Sequence, residues 1–355
     1  MSIEEETIAV RAGEEVDWAA VERVLRTHIA GLSADPLQVR QFPSGASNLT
    51  YLLCVGGWEG VLRRPPLGPV APKAHDMKRE SGLLQRIHPA FPLAPEPYFF
   101  CDDLSVMGVP FYVMERRHGV VINDIIPATV AFTPELGRRL SFTVIDTLLA
   151  IHAIDWQAAG LYDFGYPEGF LARQVKSWIE RYHRAQTDEI PQVEPLTRWL
   201  TEHVPISPMP TLIHNDFKLN NILLHRDDLS VAEAVLDWEM ATIGDPLFDL
   251  AVSLCYWVRP DDPETIRTVL PTVTVLPGFM ERTELMEIYA QKSGRNLSSM
   301  HFYMAFAYFK LAVILQQIYI RWKRGQTRDE RFASFGARVQ HLVLYATQVV
   351  ERGRP

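Results

Sequence analysis

The segment that most constrains this 355-residue chain is His214-Asn215-Asp216-Phe217-Lys218-Leu219-Asn220-Asn221, which a further aspartate, Asp237, follows sixteen residues later. Between them, residues 222–226 and 231–236 have the composition of two short strands, and Asp227-Asp228-Leu229-Ser230 supplies a turn. We therefore predict a hairpin, whose closure brings its two ends, and the polar residues beyond them, close together.

Three side chains of this region suit phosphoryl transfer. Asn221 and Asp237 would become neighbours in the hairpin, and both offer the hard oxygen ligands that Mg²⁺ takes alongside nucleotide phosphates. Asp216 lies in a loop five residues before Asn221, where it can face a substrate hydroxyl. A role in turns or caps is the alternative for each of the three residues.

The spacing His-x-Asp-x-x-x-x-Asn, followed by a strand-terminal aspartate, resembles the catalytic and metal loops of protein kinases and of the aminoglycoside phosphotransferase-like family of small-molecule kinases. Asp237-Trp238-Glu239 stands where protein kinases carry Asp-Phe-Gly, and residues 237–251 are similar to the second family almost throughout. A chance match to one short pattern does not account for this combination.

The resemblance implies a protein-kinase-like α+β fold with a small antiparallel β lobe and a larger, mainly helical lobe. It implies a kinase that uses ATP and Mg²⁺ and transfers the γ-phosphate to a substrate hydroxyl. Asp216 would be the catalytic residue, and Asn221 and Asp237 would be the metal ligands. Asp249 would anchor the backbone of the catalytic loop.

The predicted elements follow the same division along the chain. The first part is expected to hold a helix, three strands, a helix and two more strands, over residues 16–32, 38–42, 49–55, 58–64, 75–88 and both sides of a turn near 102–103. The rest is expected to be helical, over residues 133–152, 169–184, 194–204, from 245, 282–293, 298–324 and 328–352. We therefore divide the chain into a nucleotide-binding lobe (1–113), a hinge (114–119) and a catalytic and acceptor-binding lobe (120–355).

Five residues of the first lobe are candidates for binding the nucleotide. Ser44, Gly45 and Ser47 lie in a loop between two predicted strands, and its backbone N–H groups would cradle phosphates unless the loop is an ordinary hairpin turn. By the resemblance, Arg63 occupies the position of the phosphate-binding lysine of kinases, and arginine also binds phosphate, as a bidentate fork. Glu80, on the inserted helix, would pair with Arg63.

Glu115 and Arg117 belong to the predicted hinge. A flat adenine ring between two lobes needs one donor and one acceptor, which the backbone of residues 114–117 can supply. We therefore expect the hinge to bind adenine through its backbone, with little dependence on its side chains.

Composition restricts the partners and the location of the chain. A net charge of −8 argues against general binding of nucleic acid, and three scattered cysteines argue against a disulfide framework or a zinc site. Residues 1–6 are acidic and lack the features of a signal peptide. The apolar residues 302–320 include Lys310, Gln316 and Gln317, which favours a buried helix over a membrane span. We therefore expect a cytoplasmic protein.

Three further segments narrow the family. Val61-Leu62-Arg63-Arg64-Pro65-Pro66, Lys78-Arg79-Glu80 and residues 309–317 look like one branch of these phosphotransferase-like domains, which occur alone in bacteria and fused to acyl-CoA dehydrogenases elsewhere. In that branch, arginine is usual at the lysine position. We expect a small hydroxylated acceptor that is anionic or CoA-linked, such as a hydroxyacyl-CoA or a related acid, because such an acceptor suits the basic residues Arg321, Lys323 and Arg324.

The carboxyl-terminal segment is basic although the chain is acidic. Residues 321–355 carry eight Lys or Arg against three Asp or Glu. We expect Arg321, Lys323 and Arg324 at the rim of the acceptor site near Asp216, where they would attract an anion, although a solvated basic helix end has the same pattern. Two other functions stay open. One is a nucleotide-binding pseudokinase that acts by docking, which the intact catalytic and metal residues disfavour. The other is an aminoglycoside kinase, which the basic segment disfavours.

Overall fold

The computed structural model of the chain describes residues 6–43, 48–67, 75–327 and 329–354. The chain forms two compact units. The β-rich unit comprises Met1–Gly119 and Glu233–Glu239, and the helical unit comprises Val120–Ala232 and Met240–Pro355. The predicted combination of a small antiparallel sheet with a larger helical part is confirmed, and each unit is built as follows.

An antiparallel sheet of five strands, in the order β1-β2-β3-β5-β4, forms the β-rich unit. The strands are β1 (Gln38–Gln41), β2 (Leu49–Val55), β3 (Trp58–Arg64), β4 (Pro97–Cys101) and β5 (Phe111–Glu115). A Gly56-Gly57 turn joins β2 to β3, and Gly56 has a φ of 57°, which glycine adopts without strain. In β3, Leu62 is buried while Arg63 points to the other face, as strand alternation requires.

Three helices accompany the sheet: α1 (Trp18–His28), α2 (Met77–Ile87) and α3 (Leu104–Met107). Asp17 and Asp76 cap α1 and α2 by accepting hydrogen bonds from first-turn N–H groups, which explains where both helices begin. α2 buries its apolar stripe together with Glu80, which is 2% exposed. This burial sets the position of a carboxylate inside the unit.

A segment distant in sequence completes the β-rich unit. The N–H of Val235 donates to the carbonyl of Leu93 at 2.8 Å, and the Trp238 ring packs edge-on against Phe91 with centroids 6.0 Å apart. Trp238 is 1% exposed and its indole N–H donates to the Val235 carbonyl at 2.8 Å. These contacts carry Asp237, between the two anchored residues, into the β-rich unit.

Eight α-helices of the described chain belong to the helical unit. They are α4 (Pro134–His152), α5 (Phe170–Ala185), α6 (Val193–Glu202), α7 (Pro246–Cys255), α8 (Glu264–Val269), α9 (Arg282–Ser293), α10 (Met300–Lys323) and α11 (Phe335–Arg352). Thr133 and Asp245 cap α4 and α7, each followed by proline at the first helical position, as predicted. The helix predicted from residue 328 begins later, because a 3₁₀ turn, Glu330–Ser334, precedes α11.

α10 is the central helix of the helical unit. It packs against α11, α7 and α5, and its residues from Met300 to Val313 are buried except for His301. By length and composition alone α10 is able to cross a membrane, but two-thirds of its most apolar window is buried inside the protein. The helix therefore forms the core of this unit, as predicted.

Short strands frame the catalytic segment. β6 (Thr211–Ile213) pairs antiparallel with β9 (Thr242–Gly244), with Ile213 opposite Thr242. β7 (Ile222–Leu224) and β8 (Ala232–Val235) follow the segment, and the N–H of His225 donates to the carbonyl of Val231 at 2.9 Å across the intervening turn. The predicted hairpin turn is therefore present.

Candidate active site

The predicted catalytic loop, residues 214–221 of the helical unit, begins where β6 ends. His214 and Asn215 follow this fully buried strand and are themselves buried. Asn215 has a φ of 67°, in the left-handed region that asparagine tolerates better than most residues. Such a conformation persists only where neighbouring contacts hold it.

Asp249 provides the first of these contacts. Its carboxylate, fully buried on α7, accepts the N–H of His214 at 2.7 Å and the N–H of Asn215 at 2.6 Å. His152 Nε2 lies 3.1 Å from the same carboxylate, and the His152 Nδ1 lies 2.8 Å from the Tyr289 hydroxyl. Burial raises the pKa of Asp249, but these hydrogen bonds outweigh it and leave the pKa below its usual range. The predicted anchoring of the loop by Asp249 is confirmed.

Lys310, on α10, provides the second contact. Its ammonium donates to the Asn215 carbonyl and to Asn215 Oδ1, both at 2.8 Å. The Asn215 side chain also donates to the Met240 carbonyl at 3.3 Å. Every hydrogen-bonding group of Asn215 therefore has a partner, which explains how the strained residue is held.

Asp216 directly follows Asn215, whose backbone is held by these hydrogen bonds. The Asp216 carboxylate is partly exposed. Lys218 Nζ lies 2.9 Å from Asp216 Oδ2 and 4.7 Å from the centre of the Tyr256 ring. Burial, and then the charge of Asp216, raise the pKa of Tyr256 well above its usual value, so its hydroxyl stays protonated. In the described part of the chain, side-chain hydrogen bonds to the Asp216 carboxylate all reach Oδ2. Asp216 Oδ1 is therefore left without a side-chain donor among the described residues, and its predicted role towards an acceptor hydroxyl stays a prediction.

Asn221 ends a 3₁₀ turn, Leu219–Asn221, directly before β7. Its side-chain N–H donates to the Asp216 carbonyl at 2.9 Å, which fixes the orientation of the carboxamide. The amide oxygen is thereby left as the atom that can bind a cation. This orientation fits the predicted role of Asn221 as a metal ligand, and the role itself stays a prediction.

Arg63 is the centre of the charged group in the β-rich unit. Its guanidinium lies 3.5 Å from Glu80 Oε1 and 3.3 Å from Asp237 Oδ1. The predicted ion pair between Arg63 and Glu80 is confirmed. Asp237 is the more exposed carboxylate of the two, with 35% of its side chain accessible against 2% for Glu80, so Asp237 is the one that an incoming metal ion can reach.

Burial perturbs this charged group strongly. It raises the pKa of Glu80 to about 7 although the neighbouring Arg63 lowers it. Burial lowers the pKa of Arg63, but the neighbours Glu80, Tyr112, Asp237 and Glu239 outweigh it and raise the pKa, so the guanidinium stays charged. Among the described residues, the buried Arg63 Nε has no hydrogen-bond partner. An unfilled donor of this kind is a feature expected of a site that receives a ligand.

Asp237 itself has a φ of 66°, so the candidate metal ligand is also held in the left-handed region. Nearby in the β-rich unit, the buried Asn48 donates from Nδ2 to Glu239 Oε2 at 2.8 Å, and His75 Nδ1 lies 2.9 Å from Asn48 Oδ1. Asn48 directly follows the predicted phosphate loop, and its hydrogen bond connects it with Glu239, two residues after Asp237. Ser44, Gly45 and Ser47 of that loop lie outside the described residues.

The predicted hinge residues make contacts within the β-rich unit. The N–H of Glu115 donates to the Glu96 carbonyl at 2.8 Å, and Arg117 Nε donates to the Glu115 carboxylate at 2.6 Å. Arg117 also donates to the Pro92 carbonyl at 2.8 Å. Both side chains are therefore engaged by the protein, whereas the described chain offers no acceptor for the Arg117 N–H. The binding of adenine here stays a prediction.

Three residues of the helical unit were missed by the sequence analysis as parts of the site: Asn215, Lys218 and Lys310. Lys218 had a local signal, because it lies two residues after Asp216 in the same loop. Lys310 had a weaker one, a charge in the middle of an apolar helix. The contact partner of Lys310 is 95 residues away, so no local pattern identifies it.

The phosphotransferase enzyme family model matches residues 38–271 of the chain. Among characterised proteins, the chain is 35% identical to acyl-CoA dehydrogenase family member 11 of Gallus gallus, over 99% of this chain and 46% of that protein. It is 33% identical to acyl-CoA dehydrogenase family member 10 of Mus musculus, over 90% of this chain and 30% of that protein. The chain thus spans less than half the length of these relatives.

Solved structures show the same fold. A protein of Ralstonia eutropha JMP134 assigned to the aminoglycoside phosphotransferases superposes with a TM-score of 0.82 at 28% identity, over 95% of this chain and 99% of the other. The ternary complex of aminoglycoside phosphotransferase APH(4)-Ia with AMP-PNP and hygromycin B superposes with a TM-score of 0.59 at 19% identity, over 93% of this chain and 98% of the other. Choline kinase of Cryptosporidium parvum superposes with a TM-score of 0.61 at 12% identity, over 95% of this chain and 97% of the other.

These matches agree with the loop geometry and confirm the predicted two-lobed, kinase-like α+β fold. They also confirm the predicted resemblance to the branch found in acyl-CoA dehydrogenase family members. The chain belongs to the phosphotransferase enzyme family.

Proposed function

We propose that the chain is an ATP- and Mg²⁺-dependent kinase that transfers the γ-phosphoryl group to the hydroxyl of a hydroxyacyl-CoA or a related hydroxy acid. The catalytic loop carries the kinase part of this proposal, because it holds Asp216 on a clamped backbone with one carboxylate oxygen available. The acceptor class is supported by the 35% identity to acyl-CoA dehydrogenase family member 11. A cytoplasmic location belongs to the same proposal.

Asp216 has the central role in this reaction. Its Oδ1 accepts the hydrogen bond of the acceptor hydroxyl, which orients the attacking oxygen in line with the γ-phosphorus, and it takes the proton as the new P–O bond forms and the bond to ADP breaks. Lys218, 2.9 Å from Oδ2, fixes the rotation of the Asp216 carboxylate.

The residues assigned to the metal ion fit Mg²⁺ chemically. Asn221 offers an amide oxygen oriented by its own N–H···O bond, and Asp237 offers a partly exposed carboxylate. Mg²⁺ usually takes one or two such protein oxygens together with waters and phosphates, and it would neutralise charge on the β- and γ-phosphates. Arg63 would bind a phosphate once Asp237 turns to the metal ion, while Glu80 keeps the guanidinium in place.

The basic carboxyl-terminal segment would meet an anionic acceptor at a distance from the reacting hydroxyl. Arg321 and Arg324 are exposed, and Lys323 lies 3.3 Å from Asp188. Arg321, Lys323 and Arg324 follow Lys310 by eleven to fourteen residues. At a helical rise of 1.5 Å per residue, their distance from Lys310 along the helix axis is about 16–21 Å. Contact with the far, charged end of a long CoA ester therefore suits these residues better than a place beside Asp216 itself.

A screen of ATP consumption tests the proposal. Purified chain with Mg·ATP is supplied in turn with hydroxyacyl-CoAs, the free hydroxy acids, choline and aminoglycosides, and Asp216→Asn serves as the inactive control. We expect hydroxyacyl-CoAs to give the highest kcat/KM and a phosphorylated product. Preferred turnover of an aminoglycoside would replace the acceptor class by the antibiotic-modifying alternative. Tight nucleotide binding without turnover of any acceptor would favour the pseudokinase.

A further inference from the structure

Lys310 is buried in the middle of α10, and its ammonium has an unusual environment. The residue is 4% exposed, and among the described residues it forms no ion pair with a carboxylate. The rings of Phe248 and Trp178 lie 5.2 Å and 5.8 Å from Nζ. Burial of a charge without a paired carboxylate costs several kcal/mol in general, so a role beyond packing is needed to explain a lysine here.

The two hydrogen bonds of Lys310 act on one peptide group next to the catalytic aspartate. The Asn215 carbonyl, which Lys310 holds at 2.8 Å, belongs to the peptide plane that continues into Asp216. On the other side of the same residue, Asp249 holds the Asn215 N–H at 2.6 Å. A cation and an anion from two different helices therefore fix both backbone dipoles of a residue in the left-handed conformation.

Removal of the cation would release this arrangement. A left-handed non-glycine residue costs about 1–2 kcal/mol relative to its ordinary conformations. Without Lys310, the buried carbonyl and Oδ1 of Asn215 both lose their donor, and rotation of the peptide plane relieves the strain. The direction of the Asp216 side chain would change with that plane.

We propose that Lys310 is a positioning residue for phosphoryl transfer, which sets the direction of Asp216 by holding the Asn215 carbonyl and side chain. Lys310 does not touch the substrate in this account; it acts through the loop. The inference rests on the proposed role of Asp216 and adds a second requirement to it. Misplacement of a catalytic group by about 1 Å lowers rates by about a hundredfold in general.

The charge of Lys310 makes this role dependent on pH. The titratable groups that face it are Asp216 and Lys218 on the catalytic loop and Asp249 and Cys255 on α7. Burial lowers the pKa of Lys310 to about 8, although Asp216 and Asp249 raise it. The protonated form dominates below that value, and above it the neutral amine gives weaker hydrogen bonds than an ammonium does. The rate should therefore decline as the pH rises through about 8.

Two variants and a matched control test the inference with the acceptor that the wild type turns over. Lys310→Met removes the charge and the donors, Lys310→Arg keeps a charge that does not titrate in this range, and Lys292→Met removes an exposed lysine that pairs with Asp146 at 2.6 Å. Steady-state kcat and KM for ATP and acceptor are measured as a function of pH, with circular dichroism and calorimetric ATP binding as controls of folding.

We expect Lys310→Met to lower kcat about 10- to 100-fold with KM for ATP within about twofold, because only the direction of Asp216 changes. Lys310→Arg should recover part of kcat and lose the decline near pH 8, while Lys292→Met should match the wild type. Unchanged kcat in Lys310→Met overturns the inference and leaves the proposed function intact. If that variant does not fold, a wild-type pH profile retained in Lys310→Arg overturns it instead. Absence of turnover in the wild type with every acceptor overturns both.

Discussion

In the β-rich unit the candidate residues are charged side chains that contact one another, whereas in the helical unit they are attached to a backbone segment held by hydrogen bonds. Arg63 lies between Glu80 and Asp237, and its buried Nε has no hydrogen-bond partner among the described residues. Asn215, in contrast, has its N–H, its carbonyl and both side-chain groups bonded.

The difference indicates two kinds of preorganisation. A buried cation with an unfilled donor forms new hydrogen bonds when a phosphate binds. The free energy of those bonds therefore contributes to the affinity for the nucleotide. A fully bonded backbone gains nothing from a ligand, but it holds one carboxylate in a fixed direction and so contributes to the rate. Substitutions of Arg63 or Asp237 should therefore change nucleotide affinity, and substitutions of the residues that hold the Asn215 backbone should change turnover or stability.

The largest effect is expected at Asp216. Asp216→Asn should lower kcat by about a thousandfold or more, because the amide cannot take the proton of the acceptor hydroxyl. Asp227→Asn, at an exposed turn of the neighbouring hairpin, serves as the matched control and should keep full activity. Retention of more than about a tenth of kcat in Asp216→Asn would show that another group orients the acceptor.

Next in size is the stability of the clamped loop. Asp249→Asn should lower the free energy of unfolding by roughly 3 kcal/mol, because two buried N–H groups and His152 lose a charged acceptor. Chemical denaturation followed by fluorescence measures the free energy of unfolding. As the control, Asp188→Asn breaks an exposed contact with Lys323 and should change the free energy of unfolding by less than about 0.5 kcal/mol. Equal effects of the two substitutions would contradict the anchoring role.

A smaller effect is expected at Arg63. Arg63→Met should weaken Mg·ATP binding about 10- to 100-fold, because the phosphate loses a charged donor and Glu80 loses its partner. Arg63→Lys should be intermediate, since it keeps the charge without the fork. Calorimetry measures the affinity, with the exposed Arg23→Met as the control. Wild-type affinity in Arg63→Met would remove Arg63 from the nucleotide site.

The smallest effect is expected in the hinge. Arg117→Gln should change ATP affinity by less than about twofold, because we expect backbone groups to bind adenine and because the Arg117 side chain contacts Glu115 and Pro92. The same calorimetric titration measures it. A loss of more than about tenfold would mean that the guanidinium itself binds the nucleotide.

The sequence predicted those elements that have a local physical cause. β2 and β3 have the predicted bounds, because apolar strands flank an unambiguous Gly-Gly turn. The first residue of α4 follows from Thr133 and proline, which cap and open a helix by local contacts. The three-residue strands β6 and β9 were missed, since so short a segment shows no alternation.

The chemistry of the site was predictable only in part. The charged and amide residues of the motif were identifiable from their spacing, and the pairing of Arg63 with Glu80 followed from the resemblance. The left-handed backbone conformation of Asn215 and Asp237 was not predictable from the sequence, because it depends on contacts with residues far along the chain. The same holds for Lys310, whose helix has no local feature that reveals its partner.

The central claim, that Asp237 serves the metal-bound nucleotide and Asp216 serves the acceptor, is tested most directly by one calorimetric comparison. Mg·ATP is titrated into Asp216→Asn and Asp237→Asn in the absence of acceptor, with ATP in EDTA as the metal-free reference. We expect Asp216→Asn to bind Mg·ATP within about threefold of the wild type and Asp237→Asn to lose the Mg²⁺-dependent part of binding. Loss of binding in Asp216→Asn, or full Mg²⁺-dependent binding in Asp237→Asn, would contradict the claim.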